Sequence, residues 1–276
     1  MKEEDRPIGY QSLVGDCLSK LLPSPKRVCQ VMTMLVIGFA LASIVGQVYR
    51  FWPGHNPFLL GLARKFDLNG EANFPTWYQS STLLLSSILL ALIASVKRIA
   101  GARYLWHWRI LSVIFLYLSI DEAACIHEQA DKLGPALHAA GPFYFVWVIP
   151  GIVLVSIFVV SYLKFLAHLP ARTRWLFVIA GATYVSGALG VEMIEGAFSS
   201  HYGEIMEGAR AITYAFIIAA EETLEMAGIV VFVYVLLSYL RTQASEPQLQ
   251  QASAQTVVPM VKARAASRSF GFARNN

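Results

Sequence analysis

The chain has 276 residues, 56% of them hydrophobic and 14% charged, with a formal charge of +4. Soluble domains carry about a quarter charged residues, so this balance excludes an ordinary water-soluble globule and points to the lipid bilayer as partner. The three cysteines at 17, 29 and 125 form neither a disulfide framework nor a Cys-x-x-Cys knuckle, and no nucleotide loop or nucleic-acid module is visible.

Residues 1–27 read as a cytoplasmic N-terminal segment. Met1 to Pro7 is too acidic and proline-broken for a secretory n-region. Tyr10, Leu13, Val14, Cys17, Leu18, Leu21 and Leu22 then repeat at helical spacing, which predicts an amphipathic helix lying in the membrane interface. Six apolar spans are expected within 28–240, at 28–49, 72–96, 105–134, 143–163, 175–197 and 211–240. The first, second and fourth are free of acid and predict lipid-facing supports; the third, fifth and sixth carry acid. Residues 241–276, rich in Gln, Ser and Ala and basic, predict a disordered cytoplasmic tail. The fold class expected is all-α: a polytopic membrane bundle of six transmembrane helices with an amphipathic N-terminal interfacial helix.

Of 22 Lys and Arg, only Arg50, Arg64, Lys65, Lys132 and Arg210 fall on one side of such a bundle. The positive-inside rule then puts both termini in the cytoplasm, and a bacterial inner membrane is the expected location. Trp106, Trp108 and Trp175 would mark the inner interface, and Trp52, Trp77 and Trp147 the outer one.

The acid-bearing spans hold Asp121, Glu122 and Glu128, then Glu192 and Glu195, then Glu221, Glu222 and Glu225, with no Lys or Arg beside them in these blocks. One ionised carboxylate at the centre of a membrane helix costs about 2.5–3.5 kcal/mol, so eight in three helices are functional candidates. At 100° per residue each helix gathers its acids on one face, and counting 1.5 Å per residue puts all of them between the midplane and the outer surface. Gly181, Ala188 and Ser199 on the fifth span would let another helix approach closely, and Gly228 and Tyr214 share the acidic stripe of the sixth.

Such a pocket needs protons or a guest cation. Asp121, Glu122, Glu128, Glu192, Glu195, Glu221, Glu222 and Glu225 are therefore candidate ligands for one or two divalent metal ions, with His127 as the nitrogen donor by proximity. On a regular helix, however, His127 would point about 120° away from Asp121. An oxygen-rich set favours Mg, Mn or Ca, with Fe also accommodated. The Glu-x-x-His pairs of helical di-iron sites are missing; the chain has Glu192-x-x-Glu195 and Glu222-x-x-Glu225 instead. Divalent-metal binding is the leading expectation, with or without chemistry; where there is chemistry, a metal-dependent enzyme acting on a lipid-like substrate fits the location. The alternative is a proton- or cation-coupled transporter, for which the inner halves of the spans supply few polar groups. A structural role for hydrogen-bonded carboxylic acids returns about 0.6 kcal/mol per bond, little for eight such groups.

Overall fold

A computed structural model describes residues 21–50, 54, 56–203 and 207–272, with side chains as far as Gln243 except at Pro135. Most of the expected N-terminal amphipathic helix, and Trp52, lie outside the described residues. Among those described there are helices and no strands. The helices are α1 (Pro25–Arg50), α2 (Pro57–Ala63), α3 (Phe74–Ile99), α4 (Leu105–Ala124), α5 (Val148–His168), α6 (Ala171–Val185), α7 (Glu192–Tyr202) and α8 (Gly208–Phe272). Five segments are long and apolar enough to cross a membrane: α1, α3, α5, the rod Ala171–Tyr202 and Gly208–Gln243. A sixth is obtained when α4 is counted with the bent turn His127–Leu133 that follows it.

The chain forms two compact units, Ser24–Leu236 and Met1–Pro23 with Leu237–Asn276. In the latter, Arg241 Nη2 donates to the Leu22 carbonyl at 2.9 Å. The backbone of α8 is helical through Phe272, over the stretch expected to be a disordered tail. Its Ala, Gln, Lys and Arg content favours helix despite Pro247 and Pro259. Everything described below lies in Ser24–Leu236.

Serines tie α3 and α4 into an antiparallel hairpin. Ser80 Oγ donates to the Ser119 carbonyl and Ser119 Oγ to the Ser80 carbonyl, both at 2.8 Å. Two turns further, Ser87 and Ser112 repeat the exchange at 2.7 and 2.9 Å. Small hydroxyls suit this seam because they let backbones approach and satisfy themselves without water. The pairing corrects the expected division of labour. The span in α3 is 44% buried, against 17% for α1 and for α5, so α3 belongs with the acid-bearing helices rather than with the more exposed α1 and α5. Its buried Gln79, Thr82, Ser86 and Ser87 carry no charge, which is why it reads as an outer helix.

Two glycines set the crossing of the sixth span over the fifth. A Cβ on Gly228 would lie 2.7 Å from Tyr184 N, and one on Gly187 would lie 2.8 Å from the Glu221 carbonyl oxygen. Gly181, expected at the contact, has nothing within 4 Å. The shift follows from a π-helical segment, Ser186–Val191, which interrupts the 3.6-residue period and rotates what comes after it.

The third span breaks where the sequence predicts continuity. Cys125 adopts a left-handed conformation, φ 50°, and the chain turns by 60° into the 3₁₀ segment His127–Leu133. Below the acids, rings pack across the helices: Phe115 stacks on Phe232 at 4.5 Å, Phe177 meets Phe232 at 5.1 Å, and Trp108 meets Phe177 at 6.0 Å. Trp108 is 2% exposed, so it is a core residue and not the interface anchor expected, whereas Trp77, Trp106 and Trp175 are exposed.

Candidate functional site

The acids gather at one end of the hairpin, beside the loops that join α1 to α3 and α4 to α5. The break at Cys125 brings His127 back onto its own helix. Its backbone N–H donates to Asp121 Oδ1 at 3.0 Å, and Nδ1 lies 2.7 Å from Asp121 Oδ2. The expected 120° separation is thereby overturned, because it assumed an unbroken helix. Asp121 is buried and both its oxygens face His127, so it orients the imidazole, and Nε2 is the ring nitrogen left for a ligand. Trp147 packs on the His127 ring, centroids 4.8 Å apart.

Glu192, Glu195 and Glu221 form one group. Glu221 shares side-chain hydrogen bonds with both of the others. Trp147 Nε1 donates to Glu192 Oε1 at 3.2 Å, and Tyr214 OH donates to Glu195 Oε1 at 2.7 Å. Glu195 and Glu221 are buried. The π segment ends at Val191, so the expanded turn sets the direction in which Glu192 and Glu195 leave the helix.

Glu122, Glu222 and Glu225 form a second group, coupled electrostatically to one another and to Glu192. Tyr184 is a hydrogen-bond partner of Glu225. Gln79 Nε2 donates to Glu225 Oε2 at 2.8 Å. The same amide, 1% exposed, buries its Oε1 with no hydrogen-bond partner. A buried unsatisfied carbonyl costs about 1–3 kcal/mol, so this atom needs an explanation. Gly187 lets the backbone of Glu221–Glu225 pass close enough for the groups from α3, α4, α7 and α8 to meet.

Glu128 separates from the rest. It meets Glu71 and Cys125, and one ligand atom from each of the three lies within 4.8 Å of the others. Among the described residues this is the one group whose ligand atoms already converge to that degree; Glu71 and Glu128 are exposed and Cys125 is half-buried. Hydrogen bonds from Glu128 and Cys125 hold the Glu71 carboxyl below its usual range. The remaining candidates are brought together as hydrogen-bonded pairs and trios, not as one ready-made coordination shell. Among the described residues, the one ion pair made by any of these acids is that of Asp121 with His127.

Some residues of the site escape a sequence search. Tyr184 is neutral, Trp147 reads as an interface anchor, and Glu71 lies in a loop outside the apolar spans; Tyr214 is legible on the acidic stripe of the sixth span. Only the polar run at the start of α3 hints at Gln79.

No curated protein and no solved structure matches the chain. Its residues 20–240 match the model of the family described as "Domain of unknown function (DUF8692)", and the chain belongs to that family.

Proposed function

We propose that this is an integral membrane protein whose carboxylate pocket binds one or two divalent metal ions and uses them on a lipid-like substrate. The observation that carries the reading is the buried, unpartnered Oε1 of Gln79 beside Glu225, within a set of acids that has no Lys or Arg partner among the described residues. A divalent ion supplies what both features lack: positive charge for the carboxylates and an electrophile for the amide oxygen. Glu122, Glu222, Glu225 and Gln79 Oε1 would hold it, with Glu192 and His127 Nε2 able to complete the shell. An oxygen-dominated set of this kind suits Mg, Mn or Ca, and accommodates Fe with the imidazole. The metal would serve as a Lewis acid, and a spare carboxylate of the pocket as general base.

The aromatic packing below the acids speaks against a carrier. Phe232 follows Glu225 by two turns, about 10 Å, and stacks on Phe115. Val233 and Leu236 of the same helix are fully buried apolar residues. A cation released past this layer would meet only neutral hydroxyls, such as those of Ser87 and Ser112, which already bond to one another's helices. Given six transmembrane crossings, the distribution of Lys and Arg supports termini in the cytoplasm and a site opening to the outer side.

The test is thermal unfolding of the purified protein in detergent, with Mn²⁺ and after chelation. A ligand at about 100 times its Kd stabilises by about 2.7 kcal/mol, so the metal should raise Tm and chelation should lower it. In Glu122→Gln/Glu225→Gln the metal response should vanish, although the variant loses two crowded negative charges. A Tm indifferent to metal in the wild-type protein would remove the proposal.

A further inference from the structure

Outside the acid pocket lies a cavity of about 420 Å³ between the end of α1, helix α2 and the loop leading to α3. Arg50, Arg64 and Lys65 line it, together with Gln47, Asp67 and Glu71. Its acids are already engaged. Gln47 Nε2 lies 2.9 Å from each oxygen of the Asp67 carboxylate, and the Asn69 N–H donates to Oδ1. Glu71 accepts from Glu128 and Cys125. Among the described residues no ion pair or hydrogen bond engages the three cationic groups. The three cations outnumber the two carboxylates, so the cavity keeps a net positive charge, carried by groups without a committed partner among the described residues.

Its walls are fixed. Ser43 Oγ, buried in α1, accepts from Leu68 N at 3.0 Å. Asn73 caps α3 through Thr76 N and donates Nδ2 to the carbonyls of Asp67 and Gly70 at 2.6 and 2.5 Å. A Cβ on Gly70 would come within 2.9 Å of that amide nitrogen. The loop is thus held in place before any ligand arrives, and its volume is that of a small-molecule site.

Helix α2 identifies the setting. None of its residues is buried, and Phe58 is 78% exposed, with Leu59 and Leu62 exposed beside it. A short apolar helix followed at once by Arg64 and Lys65 has the composition of a segment lying in the headgroup region, rings and aliphatic chains in lipid and cations at the phosphate level. Guanidinium forks match phosphate oxygens in pairs, and an ammonium adds a third positive contact.

We infer that this cavity seats the phosphate of an anionic membrane lipid, with α2 against the lipid's acyl chains. Glu71 lines the cavity and also bonds to Glu128 at the break in the third span, so a lipid held here would have its headgroup beside the acid pocket. The inference rests on the bilayer setting and not on the metal.

The experiment is native mass spectrometry of the full chain released from nanodiscs, backed by lipid titration. The discs contain phosphatidylcholine alone or with phosphatidylglycerol, and inorganic phosphate is the soluble competitor. One anionic lipid should stay bound per chain. Arg50→Gln/Arg64→Gln/Lys65→Gln, all at exposed positions, should lower the apparent affinity by about tenfold or more. A charge-matched variant elsewhere, Arg98→Gln/Arg103→Gln/Lys164→Gln, should retain it. Equal retention by the first variant, or an equal loss in the second, would overturn the site. Binding of inorganic phosphate as tight as that of the lipid would overturn the lipid as its source. Metal content, read on the same samples, should be unchanged by the first variant. The lipid site and the metal pocket can therefore fail separately.

Discussion

Asp121 receives His127 twice, from the backbone N–H at 3.0 Å and beside Nδ1 at 2.7 Å, across six residues of sequence. An unbroken helix forbids this pairing; the left-handed turn at Cys125 allows it. The carboxylate then fixes the imidazole's orientation and its protonated nitrogen, as second-shell carboxylates do for metal-bound histidines. Asp121→Asn should therefore lower divalent-metal affinity by about 10–100-fold while leaving the helical content intact. Competition with a fluorescent chelator measures this, and an unchanged affinity would detach His127 from the metal.

The glycine crossing predicts a contrast in stability. At Gly228 the obstacles to a methyl group are backbone atoms of Tyr184 and Ala180, which cannot swing aside. Gly228→Ala should destabilise the fold by about 1–3 kcal/mol, whereas Gly181→Ala, in open space, should be near neutral. Unfolding in mixed detergent reads the difference, and similar midpoints for the two variants would mean that the helices do not cross there.

The serine seam predicts small, separable losses. Ser112→Ala removes one donor of a reciprocal pair and Ser119→Ala one of another, two turns apart. Each should cost about 0.6 kcal/mol, and the two should add. A loss of several kcal/mol from either would place that hydroxyl in a wider network.

The aromatic packing below the acids predicts that vesicles containing the protein do not pass divalent cations. Mn²⁺ quenching of an entrapped dye should proceed as in protein-free vesicles. Quenching that is faster, and abolished by Glu225→Gln, would revive the carrier reading.

Hydropathy and acid spacing were enough to read the apolar helices, because bilayer thickness and the penalty on charge leave few other arrangements. The meeting of Glu192 with Glu221, and of Glu122 with Glu225, followed the same logic. What escaped was backbone detail. Nothing in Asp121-Glu122-Ala123-Ala124-Cys125 marks a left-handed residue at Cys125, since no Gly or Pro stands there. A π segment has no residue code, so Ser186–Val191 displaced the helix contact from Gly181 to Gly187 unannounced. Gln79 was legible as one of the polar residues at the level of the acids, but a neutral amide does not say which carboxylate it meets. Trp108 escaped because abundance at interfaces is a statistical tendency, and here Phe165 and Phe177 offered the indole a packed site.

The central claim is that Gln79 and the acids around Glu225 hold a divalent ion. Elemental analysis of protein purified without chelator, set against Glu122→Gln/Glu225→Gln and Gln79→Leu, tests it most directly. The account predicts one or two equivalents of a divalent metal in the wild-type chain, loss of it in the double variant and depletion in Gln79→Leu. Equal, substoichiometric metal in all three would contradict it.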